Sequence, residues 1–140
     1  MHYNFNLEIP ANTLESAKAV LLCPVSYGVL RKVVVYFRGG CADLVHVEIW
    51  KNERQIFPTN SGNDYAFDNY AIEFEEFYPI LDKPYQLQVK GYNEDDTFLH
   101  NVSFLFLVLH PLTTGKPESV PTTEEELTDL LGEYQLLEGI

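Results

Sequence analysis

The chain has 140 residues, of which 46% are hydrophobic and 21% charged, and this apolar content is enough for one folded domain. Nine basic residues stand against 21 acidic ones, and the formal charge of -12 argues against nucleic acid or an anionic membrane as the main partner. We find no long apolar run and no basic segment before an apolar stretch. We therefore expect no membrane span, no secretory signal and folding in the cytoplasm.

Short runs in which apolar and polar residues alternate dominate residues 1–111, and they predict β-strands. Residues 2–9 alternate strictly, which indicates a half-buried strand that Pro10 ends. Further strands are predicted at residues 17–23, 29–37, 44–50, 55–57, 70–75, 85–92 and 98–109. The last strand is apolar on both faces over residues 104–109, as is typical of a central strand covered on both sides. The expected fold is all-β: one jelly-roll-like β-sandwich of eight or nine strands, with an immunoglobulin-like topology as the alternative.

The chain changes character after Pro111. Residues 112–122 predict a linker between a β-sandwich domain at 1–111 and an acidic tail at 123–140, which holds a short amphipathic helix. The apolar stripe of this helix is a predicted interface, formed by Leu127, Leu130, Leu131 and Tyr134. A helix this short is marginal alone, so it should dock on its own sandwich or on a neighbouring subunit. The net charge of -6 over residues 113–140 is equally typical of a solvated helix face.

Side chains that carry catalysis or bind metals are few. We expect Cys23 and Cys41 to be reduced and packed, because no secretory signal is evident and their spacing is not that of a zinc site. The histidines lack metal-motif spacing, and no turn presents a nucleophile as a catalytic triad requires. His46 and Glu48 share one strand face, which predicts a surface pair. The sequence therefore predicts a protein that is not an enzyme and has no cofactor or catalytic metal.

Two polar clusters are candidates for binding calcium, which prefers oxygen ligands. The better candidate is the loop at residues 60–69, with Asp64 and Asp68 as ligands, and the other is residues 93–96. Neither cluster matches an EF-hand loop. Asp and Asn are also common in turns because their side chains accept backbone hydrogen bonds. Turn stabilisation is therefore the alternative interpretation at both places.

Aromatic residues make up 14% of the chain and are dense at residues 65–78. Exposed aromatic rings stack on sugars, and they also anchor contacts between subunits. Trp50, Tyr65 and Tyr70 are the candidate residues of a carbohydrate site. Packing within the protein or between subunits is the alternative, since the sequence shows no concave arrangement.

Three stretches resemble a group of known proteins: Gly40–Val47, Gln55–Asn60 and Tyr92–Thr97, together with Tyr85. They are similar to uncharacterised small β-sandwich virion proteins of phages and prokaryotic viruses, and the similarity covers residues 5–110. The resemblance implies a virion component such as a capsid decoration, minor capsid or vertex protein. It includes no catalytic motif and therefore implies no functional residue.

The resemblance and the composition lead to one functional hypothesis. An acidic, β-rich chain with few reactive groups suits a part that assembles. We expect a non-enzymatic structural protein of a virus particle that is assembled in the host cytoplasm. Its partners would be other copies of itself, as a homo-oligomer, or a major capsid protein. The alternative is a carbohydrate-binding or adhesion module.

Overall fold

The computed structural model describes residues 1–111. The linker at 112–122, the acidic helix at 123–140 and the predicted interface stripe lie outside the described residues. The described part forms eight strands in chain order: β1 (His2–Ile9), β2 (Ala19–Pro24), β3 (Gly28–Phe37), β4 (Val45–Lys51), β5 (Arg54–Phe57), β6 (Tyr70–Ile80), β7 (Gln86–Asn93) and β8 (His100–Leu109). One turn of 3₁₀ helix, Glu15–Ala17, precedes β2. Among residues 1–111, no helix is long and apolar enough to span a membrane.

The strands form two antiparallel sheets of four, with the orders β1-β8-β3-β6 and β2-β7-β4-β5. This is the strand order of an eight-stranded jelly roll, so the predicted β-sandwich is confirmed. β8 lies between β1 and β3, as its two apolar faces predict for a central strand. Every connection between strands crosses from one sheet to the other, except the β4–β5 hairpin, and the connections therefore gather at the two ends of the sandwich.

The apolar residues of the alternating strands form the core between the two sheets. The even-numbered residues of β8 from Val102 to Val108 point inward and are buried, among them Phe104 and Phe106, while their neighbours point outward. Both cysteines are free and fully buried, as the sequence predicts. The sheets approach each other closely at Gly91, where an added Cβ would lie 2.7 Å from Ile9 Cδ1 of the opposite sheet.

Most strand boundaries differ from the prediction by one or two residues, and two of the differences have a visible cause. β6 continues to Ile80, because its last residues pair with the start of β3 beyond a bulge at Arg31. β8 begins at His100 instead of residue 98, so Phe98 and Leu99 belong to the loop before it. Both differences arise from pairing between distant strands, which local alternation does not encode.

Candidate functional site

One end of the sandwich gathers four connections between strands. We call this surface the loop end; it consists of residues 10–18, 38–44, 58–69 and 94–99, together with Tyr70 at the start of β6. Nine large hydrophobic side chains are strongly exposed in residues 1–111, and five of them lie at the loop end: Leu14, Phe67, Tyr70, Phe98 and Leu99. Phe98 is 66% exposed and Leu14 is 65% exposed. Clustered exposure of large apolar side chains is characteristic of interaction surfaces.

The loops of the loop end are joined to one another by buried polar contacts centred on Asn93. The Asn93 side chain is buried, and its amide nitrogen donates to the carbonyls of Ile9 at 3.2 Å and Phe98 at 3.0 Å. Its side-chain oxygen accepts from the backbone N–H of Asp95 at 2.9 Å. The Asn93 backbone N–H donates to the Thr13 carbonyl at 3.0 Å. Asn93 therefore fixes the end of β1 and the loop that carries Phe98 through its side chain, and the connection to β2 through its backbone.

Asp68 holds the connection between β3 and β4. Its Oδ1 accepts from the backbone N–H groups of Gly40 at 3.0 Å and Ala42 at 2.9 Å. Ala42 and Asp43 both adopt left-handed backbone conformations, with φ of 51° and 59°. Such conformations are unfavourable for residues other than glycine and persist where the surroundings fix them. The carboxylate of Asp68 is one of the groups that fix them here.

Asp95 organises the loop between β7 and β8. One of its oxygens lies 2.8 Å from His100 Nε2, and the other accepts from the backbone N–H groups of Thr97 and Phe98. The hydrogen bond with His100, followed by these backbone bonds, holds the pKa of Asp95 below its ordinary value. At residues 93–96 the turn interpretation is therefore confirmed, because the Asn93 and Asp95 side chains bind the loop's own backbone.

A second polar cluster lies beside the loop end, on the outer surface of the β2-β7-β4-β5 sheet. His46 Nδ1 lies 2.9 Å from Asp64 Oδ1, and Nε2 lies 3.1 Å from Glu94 Oε1. The His46 ring stacks on Tyr92 with parallel planes and 4.4 Å between the centroids. A protonated imidazole donates to both carboxylates, whereas a neutral one has a single N–H. Burial, with the charge of Asp64 as the next cause, raises the pKa of Tyr92 to about 12.

The predicted pair of His46 and Glu48 is wrong. Glu48 instead binds Lys18, with 2.8 Å between Oε1 and Nζ, and only 5% of the Glu48 side chain is exposed. The error has a structural cause, because residues two apart on a strand share a face while their closest partners lie on neighbouring strands and loops.

The structure gives the predicted calcium ligands separate protein partners. Asp64 binds His46 and accepts a 3.4 Å hydrogen bond from the Tyr92 hydroxyl, whereas Asp68 binds the backbone between β3 and β4. Over the part of the chain that the structure describes, no group of three or more His, Cys, Asp or Glu side chains is placed to hold a metal ion. Both aspartates are thus engaged in fixing the loop at residues 58–69 to its neighbours.

The three predicted sugar-binding residues also lie in different environments. Tyr65 pairs with Val47 through two backbone hydrogen bonds and packs partly buried against the core. Tyr70 is 55% exposed and contacts the Phe67 ring at the loop end. Trp50 lies on the outer surface of β4, with the ammonium group of Lys90 3.9 Å above its ring. The structure therefore does not join the three rings into one surface.

Trp50 does line a pocket of about 540 Å³ beside β5. The other members of its lining are mostly polar: Glu53, Arg54, Gln55, Ile56, Phe57, Thr59, Ser61, Glu76 and Tyr78. The volume falls in the range of about 300–1,000 Å³ that is usual for small-molecule sites. Gln55 already donates to the carbonyls of Pro58 and Asn63, so its amide shapes the wall of the pocket.

The sequence interpretation missed Leu14, Phe98 and Leu99 as surface residues. Phe98 and Leu99 continue the apolar pattern of β8, and nothing local distinguishes them from strand residues. Their exposure follows from the turn that Asn93 and Asp95 impose, which brings the chain into β8 only at His100.

Solved structures are similar to this chain, whereas family models and curated sequences are not. No family model matches it, and no curated protein sequence matches it. Among solved structures it is similar to the Yersinia pseudotuberculosis-derived mitogen, with 11% identity over 88% of this chain and 96% of that chain and a TM-score of 0.46. It is also similar to a family two carbohydrate esterase from Cellvibrio japonicus, with 12% identity over 77% of this chain and a TM-score of 0.30. The chain spans 34% of the esterase, and neither likeness bears on function.

Proposed function

We propose that the protein is a non-enzymatic structural subunit of a virus particle that associates with copies of itself through the loop end. The observation that carries this proposal is the set of exposed apolar side chains on loops that polar side chains hold in place. Burying such side chains between subunits stabilises an assembly by about 25 cal/mol for each Å² of apolar surface removed from water.

Fixed loops favour association for a second reason. A flexible loop must lose conformational entropy when it binds, whereas a loop already held in its bound conformation does not. Asn93, Asp68 and Asp95 supply that order within the free subunit. The jelly roll is a fold that viral capsid and lectin domains share, so the fold is compatible with the proposal without deciding it.

Light scattering coupled to size-exclusion chromatography of the full chain tests the proposal. We expect an oligomer that dissociates toward the monomer when Phe98 and Leu99 are both replaced by serine. The matched control replaces Val20 and Leu22 by serine, because these β2 side chains are as exposed as Leu99 but belong to the outer face of the sheet and not to the loop end. The control should leave the mass unchanged. A wild-type monomer at every concentration, or equal loss in both variants, would contradict association through the loop end.

A second candidate function, carbohydrate binding, is favoured by the pocket beside β5. An aromatic ring next to charged and amide groups is a common arrangement for a sugar, and here Trp50 and Tyr78 accompany Arg54 and Glu76. Trp50 is the single tryptophan of the chain, so its fluorescence reports on this pocket. Titration with sugars of several classes should change the emission and saturate, and Arg54→Ala should abolish saturation. Lys90→Ala is the control, because it uncovers the Trp50 ring without changing the wall of this pocket.

A further inference from the structure

The outer surface of the β1-β8-β3-β6 sheet carries an apolar groove along β8. Val34 and Leu105 are cross-strand partners, and Leu107 follows on the same face of β8. We call these three residues the outer-face groove. Its volume is about 270 Å³, and its polar borders are formed by His2, Lys32 and Glu73. Lys32 and Glu73 form an ion pair across β3 and β6.

The apolar pattern of this groove favours a cover. Residues 104–109 of β8 are apolar on both faces, a pattern typical of strands buried on both sides. The inward side chains, such as Phe104 and Phe106, pack against the opposite sheet. The outward ones, Leu105 and Leu107, are partly buried and line the outer-face groove. We expect residues outside 1–111 to supply the remaining cover.

We propose that residues 123–137 of the same chain occupy the outer-face groove. The described chain ends at Pro111, directly after β8 and therefore at one end of this face. The eleven residues of the predicted linker reach at most about 36 Å when extended. β8 itself is about 33 Å long, so the linker allows the following segment to return along the whole face.

The dimensions and the chemistry of the segment match the groove. As a helix, residues 127–137 would extend about 15 Å. The outward residues from Leu105 to Leu109 extend about 13 Å along β8. The stripe Leu127, Leu130, Leu131 and Tyr134 would meet the apolar floor, and the acidic residues would face water. A short linker holds the segment near its own sandwich at an effective concentration of roughly millimolar, which favours its own groove over that of a second copy.

The inference is independent of the proposed function, because the outer-face groove and the loop end share no residue. It gives the predicted interface stripe a partner within its own chain. The loop end then stays free for association while this sheet face is covered. A protein without this cover would expose a second apolar surface on a different side of the sandwich, formed by Val34, Leu105 and Leu107.

Disulfide cross-linking in the intact chain tests the inference. The first variant combines Leu105→Cys with Leu131→Cys, and its matched control combines Val20→Cys with Leu131→Cys. Val20 lies on the outer surface of the other sheet and reaches solvent at least as freely. The natural thiols should stay silent, because Cys23 and Cys41 are fully buried and burial raises the pKa of each.

We expect a monomeric cross-linked product that forms at least about tenfold faster in the Leu105 variant, since a tenfold preference keeps the segment docked about 90% of the time. Equal rates in the two variants would overturn the inference, and so would a dimeric product, which would identify a second copy as the occupant. Val34→Cys with Leu131→Cys provides an independent variant if Leu105→Cys unfolds. Replacing Phe98 and Leu99 by serine should leave the cross-linking rate unchanged, so failure of the proposed function and failure of this inference are distinguishable.

Discussion

The two ends of the sandwich differ in the length of the connections between strands and in the apolar surface that these connections expose. At the end opposite the loop end, the strands are joined by short segments at residues 25–27, 52–53 and 81–85. Apart from the terminal Met1, none of the nine strongly exposed large hydrophobic side chains of residues 1–111 lies there. At the loop end, four longer connections carry five of these nine side chains. The short connections only join strands, whereas the longer connections of the loop end also form an exposed apolar surface.

The two ends also differ in backbone conformation, because more residues of the loop end have a positive φ. Within residues 1–111, five residues other than glycine have positive φ, and four of them belong to the loop end: Asn12, Ala42, Asp43 and Asn69. The fifth, Asn52, forms the tight β4–β5 hairpin, where asparagine is a favoured residue. Unfavourable backbone conformations cluster at functional sites, where the surrounding structure fixes them. We therefore expect the conformation of the loop end to depend on particular polar side chains. Replacing these side chains should show how much each contributes to the free energy of unfolding.

The largest effect is expected from Asn93→Leu. The change leaves the carbonyls of Ile9 and Phe98 and the N–H of Asp95 without their side-chain partner in a buried position. Leaving several buried polar groups unpaired should lower the free energy of unfolding by about 3 kcal/mol.

Urea denaturation followed by circular dichroism measures this loss. Asn4→Leu is the matched control, because Asn4 is exposed on β1, and it should change stability by less than about 0.5 kcal/mol. If the two variants are equally stable, Asn93 does not hold the loop end together.

An intermediate effect is expected from Asp68→Ala, and it should be local. The change removes the acceptor for the N–H groups of Gly40 and Ala42, at a cost of about 1.5 kcal/mol. Cys41 lies between these two residues and is fully buried, as is Cys23 within β2. If the loss appears as local opening, a thiol reagent should label Cys41 about tenfold faster in the variant.

Cys23 serves as the internal control for this labelling. It lies in a strand paired with β7, away from the loop that Asp68 holds, so its labelling rate should not change. Equal acceleration of both thiols would indicate global destabilisation instead, and the loop end would then lack separate stability. Addition of calcium should not slow the labelling, because Asp68 acts through the backbone in this structure.

The fold could be predicted from the sequence because its signal is repeated in every strand. Alternation in β1 and the doubly apolar run of β8 reflect which faces are buried, and burial dominates strand formation. Boundaries that depend on distant pairing, such as the bulge at Arg31, have no local signal.

The candidate site was predictable only in part. The turn residues at 93–96 were recognisable, because Asn and Asp bind nearby backbone groups whatever the tertiary structure. The contacts of His46 with Asp64 and Glu94 join residues that are 18 and 48 positions apart, and no spacing rule connects them. Exposure of Phe98 and Leu99 was equally hidden, since an apolar residue after a turn has the same local pattern whether it enters the core or faces water.

The smallest effect is expected from Asp95→Asn, and pH reveals it. The hydrogen bond with His100 and the backbone N–H groups of Thr97 and Phe98 hold the pKa of Asp95 low in the folded protein. An unfolded aspartate has a pKa of about 3.9, so Asp95 contributes stability above that pH. The contribution is lost as the pH falls from about 4 through the lower pKa of the folded state, because the folded protein then gives up the ionised form it favours.

Between pH 7 and pH 5, the wild type should therefore unfold at a higher urea concentration than Asp95→Asn. The two urea midpoints should converge as the pH falls toward 2. His100→Ala removes the first cause of the shift, so Asp95→Asn should cost less in that background than in the wild type. A difference between wild type and Asp95→Asn that stays constant down to pH 2 would mean that the charge of Asp95 does not stabilise the loop. The ordered exposure of Phe98 would then depend on Asn93 alone.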